Sequence, residues 1–268
     1  MTQNDLGYLF PSLPTNNSQN SRLEFRPERL NLSIVDKTRS GPPRYACRYP
    51  NVNHTHKFIF IHPPKCGGKS LEFLLFGRKP IAASADHRNI RTHVGELGWD
   101  VVDEYFKFAF VRNPYDRLVS IYLQRNRFLK RSGHASSPTF TTGLAVIPNP
   151  LSFKSYVKSL ADPALYSGRG TPGIDAGGDS GGKGLFADRL MADYLSHNDD
   201  LFMNFIGRME NYEKDWEIVS QHLFGCSLEL PHLNKSERSH YRDYYDDTSR
   251  KIVGRLYEKD IDLFKYTF

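Results

Sequence analysis

The stretch from His56 to Gly77 reads HKFIFIHPPKCGGKSLEFLLFG. Phe58-Ile59-Phe60-Ile61 is a short continuous apolar run, the pattern of a buried strand. Pro63 and Pro64 end it, because proline cannot donate to a strand ladder. Lys65, Gly67, Gly68, Lys69 and Ser70 follow, and then an apolar segment long enough for a short helix. Strand, glycine-bearing loop and helix is an arrangement that holds phosphate. Backbone N–H groups at the helix start point at the anion, and the helix dipole adds partial positive charge. Gly67 and Gly68 let the backbone come close to a ligand, and Lys65 adds a point charge.

The loop departs from the P-loop of nucleotide triphosphatases. Gly68-Lys69-Ser70 is present, but the pattern needs a glycine where Pro63 stands. Taken alone, the stretch reads equally well as an ordinary strand–turn–helix with glycines for turn geometry.

A second stretch decides between the two. Phe106-Lys107-Phe108-Ala109-Phe110-Val111 predicts another buried strand, and Arg112-Asn113-Pro114-Tyr115-Asp116-Arg117-Leu118-Val119-Ser120 follows it. Pro114 suits a first helical position, and Tyr115, Leu118, Val119 and Tyr122 recur at helical spacing to about Arg131. Arg112 then stands at a strand end, where α/β sheets bind ligands, with Ser120 on the helix that begins there. The pair suits a second phosphate.

Further along, Phe202–Gly207 predicts a third strand, and Trp216, Val219, Leu223 and Phe224 mark an amphipathic helix over 212–224. A last helix is expected over 248–258, with Ile252, Val253, Leu256 and Tyr257 as its packing stripe. Alternating strands and helices predict an α/β fold: three layers, α/β/α, around a central parallel sheet of P-loop-like topology. Residues 1–50, rich in Asn, Ser, Pro and Arg, read as an arm, partly disordered or packed on the domain. The domain itself is expected over 51–268. It is interrupted at about 131–184 by a Gly/Ser-rich insertion too polar for a core element, with a short helix over 151–160. Asp86 is expected to cap a short helix carrying Ile90, Val94 and Leu97.

With 268 residues, one domain is expected. Lys and Arg exceed Asp and Glu by 36 to 30, a net charge of +6 that fits anionic ligands and would also fit nucleic acid. Cys47, Cys66 and Cys226 are an odd number without C-x-x-C spacing, which argues against a disulfide framework and a zinc site. No apolar run predicts a membrane-spanning helix, and no signal-peptide pattern opens the chain, so a cytoplasmic location is expected.

The two motifs together resemble those of sulfotransferases that use 3′-phosphoadenosine 5′-phosphosulfate, in the branch with the carbohydrate O-sulfotransferases and their bacterial relatives. That family's Pro-Lys-Thr-Gly-Gly-Thr-Ser loop corresponds to Pro64-Lys65-Cys66-Gly67-Gly68-Lys69-Ser70. Its Arg-x-Pro-x-x-Arg-x-x-Ser-x-Tyr segment is matched in full from Arg112 to Tyr122. The resemblance continues through Phe205–Asn211, Leu230–Ser236 and Asp260–Tyr266, with weak support between 131 and 184.

The resemblance implies sulfuryl transfer from 3′-phosphoadenosine 5′-phosphosulfate to an acceptor hydroxyl, or an amine, of a carbohydrate or small natural product. The product is adenosine 3′,5′-bisphosphate, and neither metal nor nucleic acid takes part. It assigns Lys65, Cys66, Gly67, Gly68, Lys69 and Ser70 to the phosphosulfate, Arg112 and Ser120 to the 3′-phosphate, and Lys235 to the loop closing over the nucleotide. Lys65 would also meet charge on the leaving phosphate. His87 becomes the expected base, with His93 second; without the resemblance both read as surface histidines. Cys66 and Lys69 stand where threonines are usual, and a thiol is a poor substitute for a hydroxyl donor. A kinase-like nucleotide phosphotransferase and an inactive nucleotide- or glycan-binding module stay open as alternatives.

Overall fold

The computed structural model describes residues 51–77, 87–131, 139–142, 145–148, 152–161, 189–231 and 238–268. In chain order the elements are β1 (Val52–Asn53), β2 (Phe58–Ile61), α1 (Gly68–Phe76), α2 (Ile90–Leu97), α3 (Trp99–Glu104), β3 (Phe106–Val111), α4 (Pro114–Arg131), β4 (Thr139–Thr142), β5 (Ala145–Pro148), α5 (Phe153–Ala161), α6 (Met191–Leu195), β6 (Ser196–His197), β7 (Asp200–Leu201), β8 (Phe205–Arg208), α7 (Tyr212–Phe224), α8 (Asp247–Leu256) and α9 (Glu258–Leu263). They fall into two compact units. Among the described residues the first holds 51–63, 67–77, 87–111 and 194–231, and the second holds the rest.

The first unit is built on a four-stranded sheet in the order β1-β2-β3-β8. β2, β3 and β8 run parallel, and β1 is an antiparallel edge. The parallel strands read as unbroken apolar runs because both faces are covered; Phe58, Phe60, Phe108 and Phe110 are all buried. Phe60 stacks on Phe108 with ring centroids 5.1 Å apart. Trp216, Val219 and Phe224 of α7 join the same core, and the Trp216 indole Nε1 donates to the Leu228 carbonyl at 2.7 Å. Trp99, at the start of α3, is 45% exposed and stacks on Phe202.

Lys107 explains itself inside this apolar strand. Its Nζ donates to the carbonyls of Val102, Asp103 and Tyr105 at 2.9, 3.1 and 2.9 Å, tying off the end of α3. The expected third strand begins later than predicted, at Phe205. Asn204 supplies the missing rung: its side-chain Oδ1 accepts from the Lys107 N–H and its own N–H donates to the Lys107 carbonyl, both at 2.8 Å.

The second unit packs α4, α5 and α8 around Tyr115, Leu118, Val119, Phe153, Tyr156, Val157, Val253 and Tyr257. This corrects the expectation for 131–184, where polar composition suggested nothing that could reach a core. Phe153, Tyr156, Val157 and Leu160 recur at i, i+3, i+4 and i+7 along α5 and are buried; this periodicity outweighs the average composition of the region. β4 and β5 also form an antiparallel hairpin there. The last helix is split. α8 ends at Leu256, and α9 starts after Tyr257. Val253 and Tyr257 are buried as predicted, with Ile252 and Leu256 packed beside them. Asp246 opens α8 with a reciprocal capping box to Ser249.

Among the described residues no helix is long and apolar enough to cross a membrane. The expected arm over 1–50, Asp86 and Lys235 lie outside the described residues.

Candidate functional site

The loop Pro64–Ser70 contributes residues to both units. In the first unit, α1 begins at Gly68 with Gly67 as its N-cap in the left-handed conformation, φ 77°. Among the described residues no side chain caps this end, and the first turn carries no acid. The Ser70 N–H donates to the Gly67 carbonyl at 3.2 Å; the other first N–H groups of a helix have no intrahelical acceptor, so α1 presents a positive end. A β-carbon on Gly68 would lie 2.1 Å from the His62 ring. Glycine is therefore required here by packing. Tyr212 reinforces the turn, its hydroxyl donating to the Gly67 carbonyl at 2.9 Å.

His62 is buried beneath that turn, its Nδ1 3.0 Å from Glu72 Oε1, and Asn51 Nδ2 donates to the same oxygen at 3.3 Å. His87 lies against His62, with ring centroids 4.5 Å apart. His87 Nδ1 is 2.9 Å from the His62 backbone carbonyl. A carbonyl only accepts, so Nδ1 carries the proton and the neutral ring holds its lone pair on Nε2. Burial, with the nearby His62 and Lys69 also disfavouring a second charge, lowers the His87 pKa to about 3. This unit thus brings together Gly67, Gly68, Lys69, Ser70 and His87.

His93 is separate from that group. It sits on α2, 1% exposed, and its Nδ1 has no hydrogen-bond partner among the described residues. Burial, assisted by Arg88, lowers its pKa to about 4. α2 is capped by Asn89, whose Oδ1 accepts from the Thr92 N–H at 2.8 Å. This corrects the expected Asp86 cap: asparagine at 89 places the helix start after His87, in a β-region cap with its side chain on the third amide.

In the second unit, two arginines of the second motif hold consecutive carbonyls of the first. Arg117 Nε donates to the Pro64 carbonyl at 3.0 Å, and Arg112 Nη1 donates to the Lys65 carbonyl at 3.2 Å. Between them Lys65 adopts φ 70°, the left-handed region that a non-glycine residue rarely takes. Arg112 also forms an ion pair with Asp116, Nη2 to Oδ2 at 2.6 Å. Asp116 receives Arg238 Nη2 on its other oxygen. Ser120 lies two turns along α4, partly buried.

Arg117 is fully buried and donates a further bond to the Arg189 carbonyl at 3.0 Å. Asp260, also fully buried, accepts the Met191 and Ala192 N–H groups at 2.8 Å each. Burial raises the Asp260 pKa to about 6, against the charge of Arg117 and the two amides. The Cys66 thiol turns inward, 3.7 Å from the Pro64 carbonyl and 3.5 Å from Met191 Sδ. Lys65, Cys66 and Arg112 are therefore brought together here.

The sequence alone gives no role to His62, Glu72, Asp116, Arg117, Arg238 or Asp260, although Asp116, Arg117 and Asp260 lie within the motifs that carry the resemblance. Asp116 had a signal, the i, i+4 spacing from Arg112. Arg238 and Asp260 had none, since their partners are 122 and 69 residues distant.

Residues 49–164 match the Sulfotransferase family. The chain is 23% identical to carbohydrate sulfotransferase 10 of Xenopus laevis, over 80% of this chain and 66% of the relative. It is 25% identical to carbohydrate sulfotransferase 11 of Mus musculus, over 89% of this chain and 72% of the relative. The chain therefore spans about two thirds to seven tenths of the length of these relatives. No solved structure matches the chain.

Proposed function

We propose, on the match of residues 49–164 to the sulfotransferase family, that the protein transfers a sulfuryl group from 3′-phosphoadenosine 5′-phosphosulfate to a carbohydrate hydroxyl. The observation that carries the reading is the N-terminus of α1, bare of any side-chain cap or acid and entered through Gly67 and Gly68. Such an end favours an anion. The residues of the phosphosulfate loop fit this group; the inward-turned Cys66 thiol leaves the glycines, Lys69 and Ser70 to meet it.

The donor supplies the sulfuryl group and leaves as adenosine 3′,5′-bisphosphate. The rest falls to this chain. His87 Nε2 takes the proton of the attacking hydroxyl, since Nδ1 is committed to the His62 carbonyl. Its low basicity in the free protein rises beside an anion, which favours the imidazolium. Lys65 and the α1 amides stabilise charge on the leaving phosphate. Arg112 and Ser120 bind the 3′-phosphate. The reading carries with it a three-layer α/β/α arrangement of P-loop-like topology, which parallel β2, β3 and β8 support. A cytoplasmic location is part of the proposal, tested by cell fractionation.

The test is incubation with isotope-labelled donor and a panel of carbohydrate acceptors, read by mass spectrometry. A sulfate adduct on a sugar is expected. Adenosine 3′,5′-bisphosphate should bind far better than AMP in calorimetry. Preference for ATP with phosphoryl transfer would favour a kinase-like phosphotransferase, and binding without any transfer an inactive module.

A further inference from the structure

A buried carboxylate stands behind the histidine read above as the base. Glu72, in the second turn of α1, is 3% exposed. Its Oε1 lies 3.0 Å from His62 Nδ1 and accepts from Asn51 Nδ2 at 3.3 Å. An ionised carboxylate only accepts, so His62 Nδ1 carries a proton. His62 is buried as well, and it meets His87 twice: through its backbone carbonyl, 2.9 Å from His87 Nδ1, and through its ring, with centroids 4.5 Å apart. The His62 ring also stacks on Phe60, centroids 5.7 Å apart, and crowds Gly68, so it has little freedom to turn. All of these residues belong to the first unit.

A carboxylate shut away from water is costly, and its hydrogen bonds only offset that cost. An apolar side chain would fill the place with less penalty. What Glu72 adds is negative charge behind His62. As the acceptor oxygen bonds to sulfur and the bond from sulfur to the leaving phosphate breaks, the hydroxyl proton passes to His87 Nε2. Positive charge then arises on a buried ring. Burial, His62 and Lys69 disfavour that charge, whereas the His62 carbonyl and Glu72 favour it.

We propose that Glu72 is a positioning residue for His87: it fixes His62, whose carbonyl keeps the His87 lone pair on Nε2, and its charge balances the imidazolium formed during transfer. This rests on the reading of His87 as the base.

Glu72→Gln keeps the shape and the Oε1 acceptor and removes the charge. The test measures kcat, donor KM and adenosine 3′,5′-bisphosphate affinity on the full chain for the wild type, Glu72→Gln, His87→Ala and the double variant. Glu72→Gln should lower kcat about 10- to 100-fold, the scale on which one nearby opposite charge shifts a titration, with donor KM and bisphosphate affinity nearly unchanged. In the His87→Ala background the same substitution should cost nothing further, because Glu72 acts through His87. Should Glu72→Gln not fold, Glu72→Asp takes its place in the cycle, and its loss must likewise vanish beside His87→Ala. A Glu72→Gln enzyme with wild-type kcat would overturn the proposal. Equal fold-losses in both backgrounds would also overturn it, since Glu72 would then support only the fold. If His87→Ala itself keeps wild-type turnover, the reading of the base fails first, and that comparison involves no change at Glu72.

Discussion

Gly68 and His62 are packed so closely that a single added methyl on residue 68 would stand 2.1 Å from the His62 ring carbon Cδ2. The ring cannot retreat freely, because Glu72 and the turn above hold it. Gly68→Ala should therefore cost about 1–3 kcal/mol, as overpacking does. It should also weaken adenosine 3′,5′-bisphosphate binding, since the displaced turn starts α1. Thermal denaturation and calorimetry check both; an Ala variant with wild-type melting and affinity would mean the turn is softer than its packing implies.

His87→Ala should lower turnover about 10²- to 10⁴-fold and leave bisphosphate affinity nearly unchanged. His93→Ala should do far less to turnover. Because the His87 pKa is lowered to about 3, the free enzyme keeps this base neutral throughout the acid range. The acid limb of kcat/KM between pH 7 and 5 should accordingly not follow an ordinary histidine titration at 6.5. A clean limb at that value that disappears in His87→Ala would contradict the burial described for this ring.

Arg117→Met should destabilise the protein by about 3–5 kcal/mol, the usual result of removing one partner from a buried charge group. It leaves the Pro64 and Arg189 carbonyls without a donor they now share. It also removes the positive charge that holds Asp260 down. Adding Asp260→Asn should then recover part of the loss in urea denaturation. A double variant no more stable than Arg117→Met would show that the two charges are not coupled.

Two groups give stability opposite slopes with pH. The folded protein resists protonating His93, whose pKa is lowered from 6.5 to about 4. Its contribution is intact above 6.5 and is lost as pH falls, by about 2–3 kcal/mol at pH 4.5. Asp260 is raised from 3.8 to about 6. Its contribution is present below 3.8 and is lost as pH rises through 6. His93→Leu should thus flatten the acid decline in stability, and Asp260→Asn should steepen it. Denaturation midpoints at pH 7 and pH 4.5 give both signs.

The parallel strands and the loop–helix unit were legible because continuous apolar runs such as Phe58–Ile61 and Phe106–Val111 have no polar residue to place on an outer face. Lys107 is the exception, and its three carbonyl partners could not be read from spacing. The start of α2 was misplaced because Asp86 and Asn89 are both good caps, and only geometry chooses between them. α5 was undervalued because its neighbours average polar. At the site, Arg112 and the glycines were visible as local motifs. The environment that sets their chemistry was not. The His62 carbonyl that fixes the His87 tautomer is 25 residues away, and backbone carbonyls leave no trace in side-chain identity.

The chain has two tryptophans, and both lie in the first unit. Trp216 is sealed in the core and Trp99 is open to solvent. Intrinsic tryptophan emission is therefore an optical reporter of that unit alone: Trp216 should emit to the blue, and Trp99 should be quenched by added iodide. The second unit carries instead a nest of tyrosines and Phe268, with Tyr115, Tyr245 and Phe268 in mutual edge-on contact. Near-ultraviolet circular dichroism would follow these rings together with the packed aromatic rings of the first unit. Emission recorded in one melt would thus watch the first unit alone and dichroism both, and any gap between the two curves would show that the halves do not unfold as one.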